Sequence, residues 1–304
     1  MKRVFLSGVS IAGLCISSGM AFAQSTSPKA AETLPTKIET IEVTADRKHS
    51  FSADLVQAGT FRGARIQDTP LTVTVIPLDL IQSQQGRTLL DALKNSAGVT
   101  QSQISSAVYN NLSIRGISVE NRGNYRLDGA LPIVNLVDLP LEDKARVETL
   151  KGVSALYYGF TTPAGIVNLT MQRPPAEREI FTEVFGDNNG SLATHASYGN
   201  TWGDFGALFH GVIGSVGNGI NNTDGDRKLA SAAFDYKLME KLKFTLDTEY
   251  IYKSVSEPTE WSLNAPVNGV STLPPLLDPK TNFGAKWMRA SGTEYNVLGH
   301  VAYS

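Results

Sequence analysis

Cysteine is nearly absent. Cys15 is the single one in 304 residues, and it lies in an apolar N-terminal run, so neither a disulfide framework nor thiol chemistry can carry the function. Leu14 precedes it where a lipoprotein signal wants a small residue, so lipid anchoring is not expected. An excess of charge is missing too: 27 Lys and Arg face 29 Asp and Glu, which argues against a nucleic-acid partner. The apolar run at 4–16, "VFLSGVSIAGLCI", falls short of a comfortable membrane-spanning helix. Catalytic groupings are lacking as well. No nucleophile–base pair or metal-ligand constellation stands out. His195 and His210 are isolated on expected strands, "TDGD" (223–226) reads as a solvated turn, and "GVIGSVGNG" (211–219) has no following helix to make a phosphate site. The chain does not read as an enzyme.

What is present starts with an export signal. Lys2 and Arg3 precede the apolar run and Ala21-Phe22-Ala23 supplies a small–x–small cleavage site, so residues 1–23 read as a cleaved signal peptide. Cleavage takes two of the 27 basic residues and none of the acidic ones, leaving a mildly acidic exported protein. Residues 24–49 form a flexible leader. Its first part, "QSTSPKAAETLPT" (24–36), is polar and aperiodic. Within it "KIETIEVTADRKH" (37–49) is strand-like, with Ile38, Ile41 and Val43 among polar residues and nothing nearby to pair with.

Residues 50–175 read as a small α+β domain. Residues 46–64 are polar and glycine-punctuated. "PLTVTVIP" (70–77) is a β-branched strand closed by proline at each end. "TLLDALKNSAGV" (88–99) puts Leu89, Ala92, Leu93 and Ala97 on one helical face, with Gly98 as a stop. Short strands are expected at 111–117, 125–130, 146–152 and 165–172, and Pro174-Pro175 ends the region.

From 176 to 304 helical patterns give way to strands. In "KLKFTLDTEYIYK" (241–253), Leu242, Phe244, Leu246, Tyr250 and Tyr252 alternate with Lys243, Thr245, Asp247, Glu249 and Lys253. Ala230, Ala232, Phe234, Tyr236 and Leu238 alternate just before, and only Met239-Glu240 separates the two runs, so they read as a hairpin. Such alternation suits a membrane barrel, and a half-solvated soluble sheet shows it equally. Connection lengths favour the barrel: with 187–190, 217–226 and 254–293 on one side and 200–204 and 239–240 on the other, the longest two share a side and the shortest lies opposite.

These segments, in this order, resemble the TonB-dependent outer-membrane receptors, most closely the ferric-siderophore branch. "ETIEVTA" (39–45) resembles a TonB box. "DTPLTVTVIPLDLIQSQQGRTLLDALKNSAGV" (68–99), "LSIRGI" (112–117), "YRLDGA" (125–130) and "ARVETLKGVSALYYGFTTPAGIVNLTMQRP" (145–174) resemble the plug domain. The likeness is specific over 39–175 and a matter of barrel style over 176–304.

The resemblance implies a plug followed by antiparallel strands of an outer-membrane β-barrel, 22-stranded in the family. Residues 176–304 supply only about six strands at this spacing, so the chain is expected to be truncated and unable to transport alone. It implies that Glu39, Thr40, Ile41, Glu42, Val43, Thr44 and Ala45 bind TonB, working with ExbB–ExbD, by β-strand addition, which needs an extended, proline-free segment on a tether. It implies that Arg115 and Lys151 are plug cations facing barrel-wall acids. Tyr109, Arg122, Asn124, Tyr125 and Asn135, near expected plug apices, are candidate contacts to a ferric siderophore, which is the transported ligand; no cofactor or metal site is implied. Trp261 and Trp287 are candidates to close over the ligand or join an aromatic girdle. Further expected partners are outer-membrane lipid, lipopolysaccharide and the barrel-assembly machinery, with the receptor a monomer. Rival readings are a receptor for cobalamin, heme or an oligosaccharide, and a passive porin-like channel or adhesin.

Overall fold

The computed structural model describes residues 51–58, 61–102, 108–152, 158–159, 161–217, 219–257, 265–266, 269–270, 276–285 and 287–303. All belong to one compact unit spanning 43–304. The segment 39–45 lies outside the described residues.

The first half is built on a five-stranded sheet. Its strands are β1 (Thr72–Pro77), β5 (Tyr125–Leu127), β6 (Leu131–Ile133), β7 (Lys144–Lys151) and β8 (Gly165–Met171), in the order β1-β7-β8-β5-β6. Only the β8–β5 pair is parallel. Two short helices, α1 (Leu78–Ser83) and α2 (Leu89–Leu93), follow β1. Strands β2 (Val99–Gln101), β3 (Leu112–Ile114) and β4 (Ile117–Ser118) form a small separate sheet. Ile76, Ile81, Leu89, Leu93, Leu112, Ile114, Leu127, Val167 and Leu169 make its core. At the β5–β6 connection, Asp128 (φ 47°) and Gly129 (φ 71°) are both left-handed, a geometry that Asp-Gly accommodates and β-branched residues resist.

The helix expected over 88–99 is shorter than its apolar face suggested. Thr88 and Asp91 form a capping box at its start, with Thr88 Oγ1 accepting the Asp91 amide at 3.1 Å. The helix ends at Leu93, because the Ser96 amide turns back to the Leu93 carbonyl (2.8 Å) and the Val99 amide to that of Ser96 (3.0 Å). Ala97 is therefore exposed.

The second half is a six-stranded antiparallel wall in sequence order: β9 (Glu179–Gly186), β10 (Leu192–Trp202), β11 (Phe205–Ser215), β12 (Gly225–Met239), β13 (Leu242–Ser256) and β14 (Arg289–Tyr303). Connections alternate in length, with two residues at 203–204 and at 240–241 against the longer 187–191, 216–224 and 257–288. From β10 onward the strands are 11 to 15 residues long, enough to cross a bilayer.

The wall's patterning is inverted relative to a soluble sheet. On β13, Phe244 and Leu246 are exposed, while Asp247, Glu249 and Lys253 are buried against the first half. On β11, Phe205, Phe209 and Ile213 face out, while His210 and Val212 face in. Register aligns Trp202, Phe205, Tyr236 and Phe244 in one outward row at the short-turn end. A second aromatic row, Tyr250 against Tyr295 (ring centroids 5.2 Å) with Tyr252 beyond, lies towards the long connections. Eight residues separate Phe244 from Tyr252, about 26 Å along a strand, close to the apolar band between the aromatic girdles of outer-membrane barrels.

The linker between the halves is fitted tightly. A Cβ on Gly199 would come within 2.5 Å of Pro175 Cδ, and one on Gly206 within 2.8 Å of Pro174 Cβ. These glycines let the two prolines lie flat on the wall.

Candidate functional site: the seam between plug and wall

The inward face of the wall meets the first half through apolar contacts of Ala193, Val212, Leu229 and Ile251 with its core and through charge. Lys144, at the head of β7, places Nζ 2.5 Å from Asp143 Oδ1 and 2.5 Å from Glu249 Oε1 on β13. All three side chains are at most 1% exposed. Burial favours a neutral lysine, but the two carboxylates outweigh it and raise the Lys144 pKa above the usual lysine range. Asn296 Nδ2 donates to the other Glu249 oxygen at 3.3 Å. His210, Ser231, Glu249 and Asn296 are successive register partners across β11–β14 and form one polar rung facing this group.

Other pairs cross the same seam. Arg173, just past β8, grips Asp247 and Asp235 at 2.6 Å each. Arg227 on β12 reaches Glu142 at 2.8 Å, Lys253 on β13 reaches Asp138 at 3.2 Å, and Arg87 binds Glu183 with both guanidinium nitrogens (3.0 and 2.6 Å) while stacking on Phe185. Buried pairs of this kind are poor sources of net stability but costly to break from one side, so they fix the register of plug against wall. Nearer the long connections the seam opens into a cavity of about 750 Å³, lined by Arg87, Asp138, Glu183, Asp187, Arg227 and Lys253 among others.

Burial also pushes the Asp128 carboxyl up to about 7, reinforced by Asp247 across the seam and opposed by the Met171 amide and Arg173. Its Oδ1 accepts the Met171 amide at 3.0 Å.

The site residues expected from sequence are distributed unevenly. Arg115 is exposed and left-handed (φ 54°), with NH2 donating to Thr72 Oγ1 at 3.0 Å. Lys151 donates to the Ala97 carbonyl at 2.7 Å; burial and then the nearby Arg115 lower its pKa. No ion pair joins either to a wall acid among the described residues, and the seam pairs above are made by other side chains. Tyr109 is half-buried against Val108 and Val255, and Arg122 is exposed. Asn124, Tyr125 and Asn135 are corrected from ligand contacts to internal supports, because all three are buried. Asn124 Nδ2 donates to the Gly165 carbonyl (2.5 Å), and Asn135 Nδ2 to the Asn110 carbonyl (2.8 Å) and Tyr125 Oη (3.1 Å). Burial raises the Tyr125 pKa accordingly. Trp287 is highly exposed in the 257–288 connection, and Trp261 lies outside the described residues. His195 and His210, isolated in sequence, are brought together: Nε2 of the first lies 3.1 Å from Nδ1 of the second, both buried.

Residues 65–166 match the TonB-dependent receptor plug domain family. The ferrioxamine receptor of Yersinia enterocolitica is 30% identical over 171 residues, covering 51% of this chain and 24% of that protein. The ferrichrome outer membrane transporter/phage receptor of Escherichia coli K12 is 23% identical over 197 residues, covering 62% and 26%. The chain thus spans about a quarter of the length of these relatives. Among solved structures, the FpvAI–pyocin S2 complex aligns with a TM-score of 0.74 at 16% identity over 83% of this chain and 34% of that one. The ferric preacinetobactin receptor BauA of Acinetobacter baumannii aligns with 0.71 at 19% identity, over 83% and 38%. Residues 65–166 thus match a plug domain of TonB-dependent receptors, and the described residues share, over 83% of the chain, the fold of these solved receptor structures.

Proposed function

We propose that this chain forms the plug and part of the wall of an outer-membrane receptor that imports a ferric siderophore, energised through TonB acting on residues 39–45. The observation that carries this reading is the inverted wall: apolar side chains face out over about 26 Å between aromatic rows, and charged ones grip the plug. The relatives' own ligands, ferrioxamine and ferrichrome by their names, support an iron chelate as cargo. Residues 1–23 would direct export and be removed. Import of this kind needs force rather than catalysis, so no reacting residues are assigned. Arg115 and Lys151 are proposed as plug cations for acids elsewhere on a complete wall, and Tyr109 and Arg122 as chelate contacts.

The test is uptake of ⁵⁵Fe-labelled ferrioxamine B and ferrichrome by iron-starved cells producing a receptor that carries this chain, with and without residues 39–45. Deletion is expected to abolish uptake while cell-surface binding persists. Uptake that survives the deletion would instead identify a passive channel, and absence of binding with either chelate would point to another nutrient.

A further inference from the structure

The charges buried in the seam do not balance. Lys144 Nζ lies 2.5 Å from Asp143 Oδ1 on the plug and 2.5 Å from Glu249 Oε1 on the wall, and none of the three side chains is more than 1% exposed. One cation therefore serves two acids away from water. The neighbours add no second cation. Glu142, next in the chain, is engaged by Arg227 of β12 at 2.8 Å, and Glu183 of β9 by Arg87 at 2.6 Å. Glu294 of β14 is a further acid, half-buried and accepting the Val134 amide at 3.4 Å. His195 of β10 and His210 of β11 are hydrogen-bonded to each other, so one of the two facing ring nitrogens carries no proton.

Hydrogen bonding reports the same deficit. Asp143 Oδ2 is buried and meets no donor among the described residues. The Asp143 and Glu249 carboxyl groups are nonetheless in hydrogen-bonding contact, which two ionised carboxylates cannot sustain. One proton between them removes both faults: it supplies a donor and leaves one negative charge for one lysine. Two carboxyls in one site cannot easily ionise together. Burial works against an ionised Asp143, but Lys144 outweighs it and holds that carboxyl below the usual aspartate range, so the proton belongs to Glu249. A second pair repeats the construction two residues along β13. The plug's Asp128 hydrogen-bonds the wall's Asp247, while Arg173 is divided between Asp247 and Asp235 at 2.6 Å each. Lys243 binds Asp235 at 2.8 Å, and Arg62 donates to the Asp128 backbone carbonyl at 2.8 Å. Here the plug residue holds the proton, since burial and then Asp247 push Asp128 up to about 7.

We propose that plug and wall are joined along β13 by two shared protons, one between Glu249 and Asp143 and one between Asp128 and Asp247, so that the plug is held most firmly in weakly acidic surroundings and loosens as the medium turns alkaline. The sign follows from linkage. The assembled seam keeps each proton to a higher pH than an unfolded chain does. Its contribution is therefore complete below the ordinary carboxyl range and is lost as pH rises to the point where the seam gives the proton up. Neither cargo nor TonB takes part, so the inference stands apart from the uptake reading.

Infrared spectroscopy of the full chain in detergent micelles reads the protons directly, as the carbonyl band of buried carboxylic acids. The unmodified chain should show that band at pH 7. E249Q and D143N should each remove one component of it, the second because Glu249 then forms a single ion pair with Lys144. A side chain acting through packing alone would leave the band unchanged. In urea unfolding from pH 6 to 9, the unfolding constant of the unmodified chain should rise with pH. E249Q should reduce that rise by up to about ten-fold per pH unit, the value for one proton, and D128N should remove a separate part. The histidines are common to all these chains and cancel in the comparison. Absence of the band from the unmodified chain, which needs no variant to fold, overturns the proposal. So does a band unchanged in both E249Q and D143N, or an imidazolium signal in its place, which would put the proton on His195 and His210.

Discussion

Strands β8 and β13 belong to one chain, yet they divide apolar and charged side chains differently. In β8, Ile166, Val167, Leu169 and Met171 are all inside, and Asn168 is kept there by Glu148 and the Gly129 amide. In β13, Phe244 and Leu246 are outside, and the interior receives Asp247, Glu249 and Lys253 beside Ile251 and Val255. A sheet faced by water could not gain from that arrangement, since burying apolar area drives its folding. On the function proposed above, the difference marks two solvents: the plug excludes water from an apolar core, whereas the wall would turn its apolar side to hydrocarbon and solvate its polar side with the plug's charges.

The comparison is broken most severely at Lys144. K144M leaves Asp143 and Glu249 buried together without their cation, which should cost about 3–5 kcal/mol, read as a lower urea midpoint at unchanged slope in micelles. A loss under about 1 kcal/mol would match an exposed surface pair and mean that the seam charges do not hold the plug. A smaller effect is expected at Ala232, which faces outward midway between the aromatic rows, in register with Phe209 and Thr248. A232K should cost about 2–4 kcal/mol in lipid vesicles and close to nothing if that face met water, so urea titration in vesicles decides which solvent it sees.

A pH dependence sharpens the boundary between the two regions. Asp128 keeps its proton up to about pH 7 in the folded plug, whereas an unfolded aspartate releases it near 3.8. Between those values the folded state binds the extra proton, so stability falls as pH rises and is level above about 7. D128N should flatten that slope in unfolding midpoints measured from pH 4 to 8. A slope that persists in D128N would assign it to other groups.

Much of this was legible in the residues. The β12–β13 alternation, the turn between them and the unequal connections follow from period-2 patterning and loop composition, which are local. The Lys144–Glu249 pair joins residues 105 apart, and no local pattern announces it. His195 and His210 meet because the β10–β11 register places them diagonally on one face, a fact of pairing rather than composition. The packing of Val56 and Ala58 on Leu150 and Ile166 was hidden for another reason: a polar, glycine-punctuated segment gave no periodic signal, and two apolar residues are too few to make one. Asn124, Tyr125 and Asn135 misled because amides and a phenol suit a ligand and a buried hydrogen-bond network equally well.

The depth of Glu249 has a consequence for how such a wall can be made. It lies five residues from the outward aromatic Phe244, about 16 Å along the strand, and so, on the function proposed above, at the level of the hydrocarbon interior, with a single layer of backbone between it and lipid. A bare wall entering the bilayer would bring Asp247 and Glu249 to that depth unpaired, at a cost membranes rarely tolerate. Biogenesis on that reading has an order written into it: the plug, or water in its place, must already line the inner surface when these strands go in.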